Sequence, residues 1–159
     1  MRSRTVAFIA ALLLATVAAP RAHAQGGAML GHTPVMSFVA AQNAERAKEF
    51  YRDKLGLRLV REEPIALVFD ANGTMLRVQL MRSVTPHPYT VLGWEVRDIA
   101  AAVAQLKRSG VAVERFSGFN QDELGIWTAE DGTRVAWLKD PDGNVLSLTE
   151  FPEAKRLKR

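Results

Sequence analysis

The chain has 159 residues, 48% hydrophobic and 24% charged, with 11 Gly, 7 Pro and no Cys. That composition excludes low-complexity and membrane-filling proteins and fits one globular domain, and the lack of Cys excludes disulfides, thiolate metal sites and cysteine nucleophiles. The formal charge is +4, yet residues 25–154 carry 14 basic and 17 acidic side chains, a net of −3, so the body of the chain lacks the electrostatic footprint of a nucleic-acid binder and no nucleic acid is expected as a partner.

Arg2 and Arg4 precede an apolar run from Thr5 to Ala19, Pro20 breaks it, and Ala22-His23-Ala24 puts small residues one and three places before a cut after Ala24. This pattern predicts a signal peptide over 1–24 and export to the periplasm or the exterior. A retained anchor is the competing reading. The 15 apolar residues fall short of the roughly 20 needed to cross hydrocarbon, so no stable membrane insertion is expected after cleavage. Residues 25–34 follow as an N-terminal extension.

A first module spans 35–82. Val35 to Ala40 reads as a strand, Asn43 as a helix N-cap, and Ala44, Ala47, Phe50, Tyr51 and Leu55 recur at helical spacing until Gly56 stops the helix. Strands Leu57–Arg61, Ile65–Asp70 and Thr74–Met81 follow, the last two joined by an Asn72-Gly73 hairpin turn. A linker over 83–90 leads to a second module over 91–152. Here Val91–Val96 is the strand, Asp98 the N-cap, and Ile99, Ala102, Val103 and Leu106 the buried stripe, with Gly110 as the stop. Strands are expected at Val111–Phe116, Thr133–Leu138 and Val145–Glu150, the last entered through the turn Asp140-Pro141-Asp142-Gly143-Asn144. Gly56 and Gly110 stand 54 residues apart, so the chain is an internal repeat. A basic tail closes it over 153–159, expected to be solvated.

The second module carries an additional segment, Ser117 to Asp131, with an exposed-looking pair Ile126-Trp127. It reads as a lid over a pocket, or else as a solvated connection or an additional edge strand. Strand–helix–strand–strand–strand repeated twice is an α+β arrangement in which helices cover one side of two half-sheets and the opposite side faces an enclosed space. Strand alternation assigns Val35, Val39, Leu76, Val78, Leu80, Leu92, Trp94, Val96, Leu146 and Leu148 to the helix side. It assigns Met36, Phe38, Met75, Arg77, Gln79, Met81, Val91, Gly93, Glu95, Ser147 and Thr149 to the other. Apolar area with a few polar groups suits a small-molecule site. Arg77 could alternatively pair with Glu95 inside that space.

Glu45-Arg46-Ala47, Phe50-Tyr51-Arg52-Asp53-Lys54-Leu55-Gly56-Leu57 and Asp140-Pro141-Asp142-Gly143-Asn144 resemble the vicinal oxygen chelate superfamily of glyoxalases, bleomycin-resistance proteins, fosfomycin-resistance enzymes and extradiol dioxygenases. The likeness covers about Met36 to Phe151 and implies paired βαβββ modules forming a curved, eight-stranded sheet around a cavity. It also implies, for members with metal chemistry, His, Glu or Gln ligands on the first and last strands of the modules. The matching positions here are Met36, Val91, Ser147 and, in the first module, Arg77 with Gln79 beside it. None suits a hard or borderline cation: valine has no lone pair and arginine brings like charge. His32 and His87 flank the modules in an N-terminal extension and a proline-bounded linker, poor settings for preorganised ligands. No metal and no cofactor is therefore expected.

Ser147 has no evident His partner for nucleophile activation, and Glu95 is the single acid/base candidate. The preferred reading is an exported, metal-independent relative whose inter-module space binds a small organic molecule through Met36, Phe38, Arg77, Gln79, Val91, Glu95, Ser147 and Thr149, with Arg77 and Gln79 on an oxygen-rich or anionic group. Three alternatives stand beside it. They are a metal-dependent lyase or dioxygenase, an acid/base enzyme built on Glu95, and an interaction module that pairs between two copies as a homodimer.

Overall fold

The computed structural model describes residues 30–156. The expected signal peptide, the start of the extension and the last three residues of the tail lie outside the described residues. From Pro34 onward the chain forms one unit. It runs β1 (Met36–Ala41), α1 (Ala44–Lys48) continuing into a π-helical turn (Glu49–Lys54), β2 (Arg58–Glu63), β3 (Ala66–Ala71) and β4 (Thr74–Leu80). Then come β5 (Thr90–Glu95), α2 (Ile99–Arg108), β6 (Trp127–Thr128), β7 (Arg134–Lys139) and β8 (Val145–Glu150). Two four-stranded mixed sheets result, ordered β1-β4-β3-β2 and β5-β8-β7-β6. In each, the first and last strands of the module pair in parallel and the remaining neighbours are antiparallel. The sequence repeat is thus a repeat of topology, two βαβββ modules.

The caps form as their chemistry requires. Asn43 accepts from the Arg46 N–H at 3.0 Å and Asp98 from the Ala101 N–H at 2.9 Å. Gly56 and Gly110 take positive φ, +75° and +72°, where a side chain would be strained. The first helix widens where Leu55 N–H reaches back five residues to the Phe50 carbonyl at 2.9 Å. That wide turn brings the adjacent rings of Phe50 and Tyr51 both into the core, 5% and 0% exposed. Val39, Phe69, Leu76 and Val78 of the first module share one apolar cluster with Ile99, Val103, Leu138 and Leu146 of the second. Val35, placed on the helix side by alternation, instead precedes β1 and is 74% exposed.

The Asp140–Asn144 turn does more than reverse the chain. The buried Asp140 carboxylate accepts from Tyr51 Oη at 2.8 Å, Asn144 Nδ2 at 2.7 Å and the N–H groups of Asp142 and Asn144 at 3.0 and 2.9 Å. Asn144 Nδ2 also donates to the Ala40 carbonyl on β1 at 2.8 Å, and the Arg46 guanidinium donates to the Pro141 carbonyl at 2.5 Å. The turn therefore joins the two modules through one satisfied buried carboxylate. Burial and the neighbouring Asp140 carboxylate raise the Tyr51 phenol well above its ordinary range, so it remains the donor.

One strand is misplaced by the sequence reading. Val111–Phe116 is not a strand; only Glu114 bridges Trp137, and the edge of the second sheet is β6, inside the segment read as lid or edge strand. The cause is Gln121. Its amide donates to the Glu114 and Gly125 carbonyls at 2.9 and 2.7 Å and accepts from the Phe116 N–H at 2.8 Å, occupying groups that a longer ladder would use. Arg115 donates to the carbonyls of Asp122 and Glu123, and Asp122 Oδ1 accepts from Leu124 and Ile126 N–H groups. Ile126 is 1% exposed and belongs to the core, not to a free lid.

Two outcomes follow from these bonds. Tyr51→Phe removes one donor from a buried carboxylate and is expected to cost about 1–3 kcal/mol, read as a lower urea midpoint with unchanged slope. Gln121→Ala is expected to accelerate amide hydrogen exchange across residues 114–126 while leaving the protection of β4 and β8 intact.

Candidate functional site

Helices and the shared core occupy one side of both sheets, and the opposite side is open. In the first module one row across this open face reads Phe38, Arg77, Val68, Arg61, and the next Met36, Met75, Asp70, Arg58. Met36 and Phe38 are 50% and 48% exposed, Gln79 is exposed and Arg77 partly buried. Arg77 pairs with Glu63, Nη2 to Oε2 at 2.6 Å, rather than with Glu95. Glu63 also accepts from Arg61 Nε at 2.7 Å, so two guanidinium groups share one carboxylate and a net positive charge remains there. Their hydrogen bonds, Arg77 first and Arg61 second, hold the Glu63 carboxyl at about 2, below its ordinary 4.5. The alternative Arg77–Glu95 pair does not form, because Glu63, on the same face of the same sheet, lies within reach.

In the second module the rows are Glu95, Thr149, Val135, Trp127 and Gly93, Ser147, Trp137, Glu114. Between Glu95 and the tryptophans the floor consists of small side chains. Gly93 makes room for a neighbour: a Cβ there would lie 2.7 Å from Ser147 Oγ. Ser147 is only 6% exposed. Val91, expected on this face, sits in a bulge of β5 and packs against the core cluster instead, because the register slips between Thr90 and Leu92.

The sequence reading missed an aromatic cluster. Trp127 and Trp137 lie 6.1 Å apart between ring centroids, Phe119 stands 5.3 and 5.0 Å from them, and Phe116 meets Trp137 edge-on at 5.7 Å. Trp137 was detectable, since it alternates with Val135 on β7. Phe116 and Phe119 were not, because the irregular segment that returns them over the sheet has no period.

The four positions matched to ligand positions of the resemblance are Met36, Arg77, Val91 and Ser147. The first is a thioether on an open surface, the second is ion-paired and the third faces the core. This donor set does not fit a divalent cation. Among the described residues no three His, Asp or Glu side chains cluster to hold one. His32 is exposed, and His87 stacks on Tyr89 at 5.1 Å. Glu95 is exposed and, among the described residues, has no ion pair or side-chain hydrogen bond.

Two grooves border the helices. One of about 340 Å³ is lined by Arg46, Phe50, Lys54, Val111, Lys139 and Pro141 among others, and one of about 290 Å³ by Leu55, Leu57, Trp94, Glu95, Leu106 and Leu148 among others. The basic groups of the first are already used: Lys54 pairs with Glu49, Lys139 with Glu114, and Arg46 bonds Pro141.

Comparison with known proteins agrees with this architecture. The family model of the Glyoxalase/Bleomycin resistance protein/Dioxygenase superfamily matches residues 30–148. Similar solved structures include a glyoxalase/bleomycin resistance protein/dioxygenase from Alicyclobacillus acidocaldarius, 21% identical with TM-score 0.61, covering 80% of this chain and 97% of that one. A glyoxalase family protein from Enterococcus faecalis is 22% identical with TM-score 0.59, over 75% of this chain and 98% of that one. A lactoylglutathione lyase from Agrobacterium tumefaciens is 18% identical with TM-score 0.57, over 74% and 93%. At these identities the structures share the fold alone, and no curated protein matches the sequence. With two βαβββ modules and a family match over most of its length, the chain belongs to the Glyoxalase/Bleomycin resistance protein/Dioxygenase superfamily.

Proposed function

We propose that this is an exported, metal-independent member of the superfamily that binds a small organic molecule on the open face between its modules. Arg77 and Gln79 meet an oxygen-rich or anionic group of that ligand. The observation that carries the reading is the surplus positive charge of the Arg61–Glu63–Arg77 group, set beside the exposed apolar surface of Met36 and Phe38. Apolar area supplies affinity and the guanidinium supplies orientation. Export rests on the N-terminal sequence pattern, and metal independence on the donor chemistry at the four matched positions.

Thermal shift of the intact protein with succinate, citrate and benzoate tests the ligand reading. A concentration-dependent rise in Tm is expected, following mass action, and it disappears in Arg77→Ala while Arg77→Lys keeps part of it. A rise of equal size in Arg77→Ala, or none in the native chain, overturns the assignment. Stoichiometric retention of Mn, Fe, Ni or Zn after dialysis would overturn metal independence.

Glu63 adds a pH signature. Its carboxyl is depressed in the folded protein, so its contribution to stability is complete above about 4.5 and is lost as pH falls toward about 2. Glu63→Gln is expected to flatten that acid limb in urea unfolding. By releasing Arg77 and Arg61 it should also tighten carboxylate binding at neutral pH.

A further inference from the structure

We infer that Asn72 is the acceptor of an N-linked oligosaccharide, carried by the exported chain at the tip of the hairpin between β3 and β4. The inference rests on the export half of the reading above and adds a covalent modification that the ligand-binding half neither needs nor implies.

Three observations carry it. The first is the sequence. Asn72-Gly73-Thr74 is an Asn-x-Ser/Thr triplet whose middle residue is not proline, the pattern of a surface acceptor in an exported protein. The other asparagines lack it: Asn43 is followed by Ala-Glu, Asn120 by Gln-Asp and Asn144 by Val-Leu. Asp70 stands two places ahead of Asn72, so the whole run is Asp-x-Asn-x-Thr, the longer form that bacterial N-linking transferases select.

The second is the availability of the amide. β3 ends at Ala71 and β4 begins at Thr74, which leaves Asn72 and Gly73 as a two-residue tip. Both are exposed, and the Asn72 side chain makes no hydrogen bond to the protein among the described residues. Asn43 and Asn144 are occupied inside the fold, the first by the Arg46 N–H and the second by Asp140 and the Ala40 carbonyl. A Cβ at Gly73 would meet nothing within 4 Å, so the space beside Asn72 is open.

The third is tolerance. The hairpin is held from its base, where Asp70 accepts from the Gly73 N–H at 2.7 Å and from Arg58 Nη2 at 2.8 Å. Neither bond uses the Asn72 amide nitrogen. The buried side chains of the two strands begin farther back, at Phe69 and Leu76, so a bulky hydrophilic group on Asn72 extends into water without displacing the core.

In the transfer, Asn72 Nδ2 attacks the anomeric carbon of a polyprenyl-pyrophosphate-linked oligosaccharide held by the transferase. The bond from that carbon to the pyrophosphate oxygen breaks, its electron pair leaves with the lipid pyrophosphate, and Nδ2 gives up one proton to a base of the transferase. Nothing is oxidised or reduced. The Thr74 hydroxyl, which has no partner among the described residues, is left for recognition by the transferase.

The test expresses the full chain, with its own first 24 residues, in a bacterial host that carries a periplasmic oligosaccharyltransferase and its lipid-linked donor. Periplasmic and cytoplasmic fractions are compared by intact mass and by mass spectrometry of the peptide containing Asn72. A periplasmic chain carrying one glycan on Asn72 is expected. Asn72→Gln and Thr74→Ala should abolish it, Thr74→Ser should retain it, and Asn120→Gln, at an exposed asparagine outside any such triplet, should leave it unchanged. Thr74→Ala keeps the Asn72-Gly73 turn, so it remains informative even if Asn72→Gln fails to fold. An exported chain without glycan overturns the inference alone, and so does a glycan that persists in Thr74→Ala. A chain that stays in the cytoplasm overturns the export reading and this inference with it.

Discussion

The buried carboxylate of Asp140 holds the arrangement together. A carboxylate removed from water is costly unless its lone pairs are filled, and here four donors fill them, one from the first module's helical turn and three from the turn containing Asp140 itself. Tyr51 can reach it because the helix widens at Glu49–Lys54, and Asn144 passes the connection on to Ala40 of β1. The two sheets, whose ladders are separate, are thereby set in one relation with a common core and a common open side.

That relation decides which side chains share the open face. The positions at which the resemblance implies metal ligands carry side chains with other occupations: Arg77 is ion-paired, Val91 packs inward through a bulge, Met36 presents a thioether to solvent. Membership in the superfamily supplies the scaffold and leaves the activity to the residues on it. Those residues divide the face into a first half with surplus positive charge and a second half with an unpaired carboxylate and four aromatic rings.

The segment between α2 and β7 shows how side chains can take over from a ladder. Val111 and Val113 alternate as a strand would, yet the carbonyl of Glu114 and the N–H of Phe116 are satisfied by Gln121. The chain then turns, buries Ile126 and gives the sheet an edge of only two residues, Trp127–Thr128. A short edge is also a poor template for pairing with another chain.

Much of this was readable without coordinates, because helix caps, stop glycines, the Asn72-Gly73 turn and strand alternation are local: their energies depend on residues a few places apart. The repeat of Gly56 and Gly110 and the apolar stripes therefore determined two βαβββ modules and one covered side. What only the tertiary structure decided depends on partners distant in the chain. Asp140 meets Tyr51 across 89 positions, Arg77 finds Glu63 instead of Glu95, Val91 is turned inward by a register slip, and Phe116 and Phe119 fold back onto Trp137. Period and propensity carry no information about such meetings, since they are selected by whichever group the packed core brings within reach.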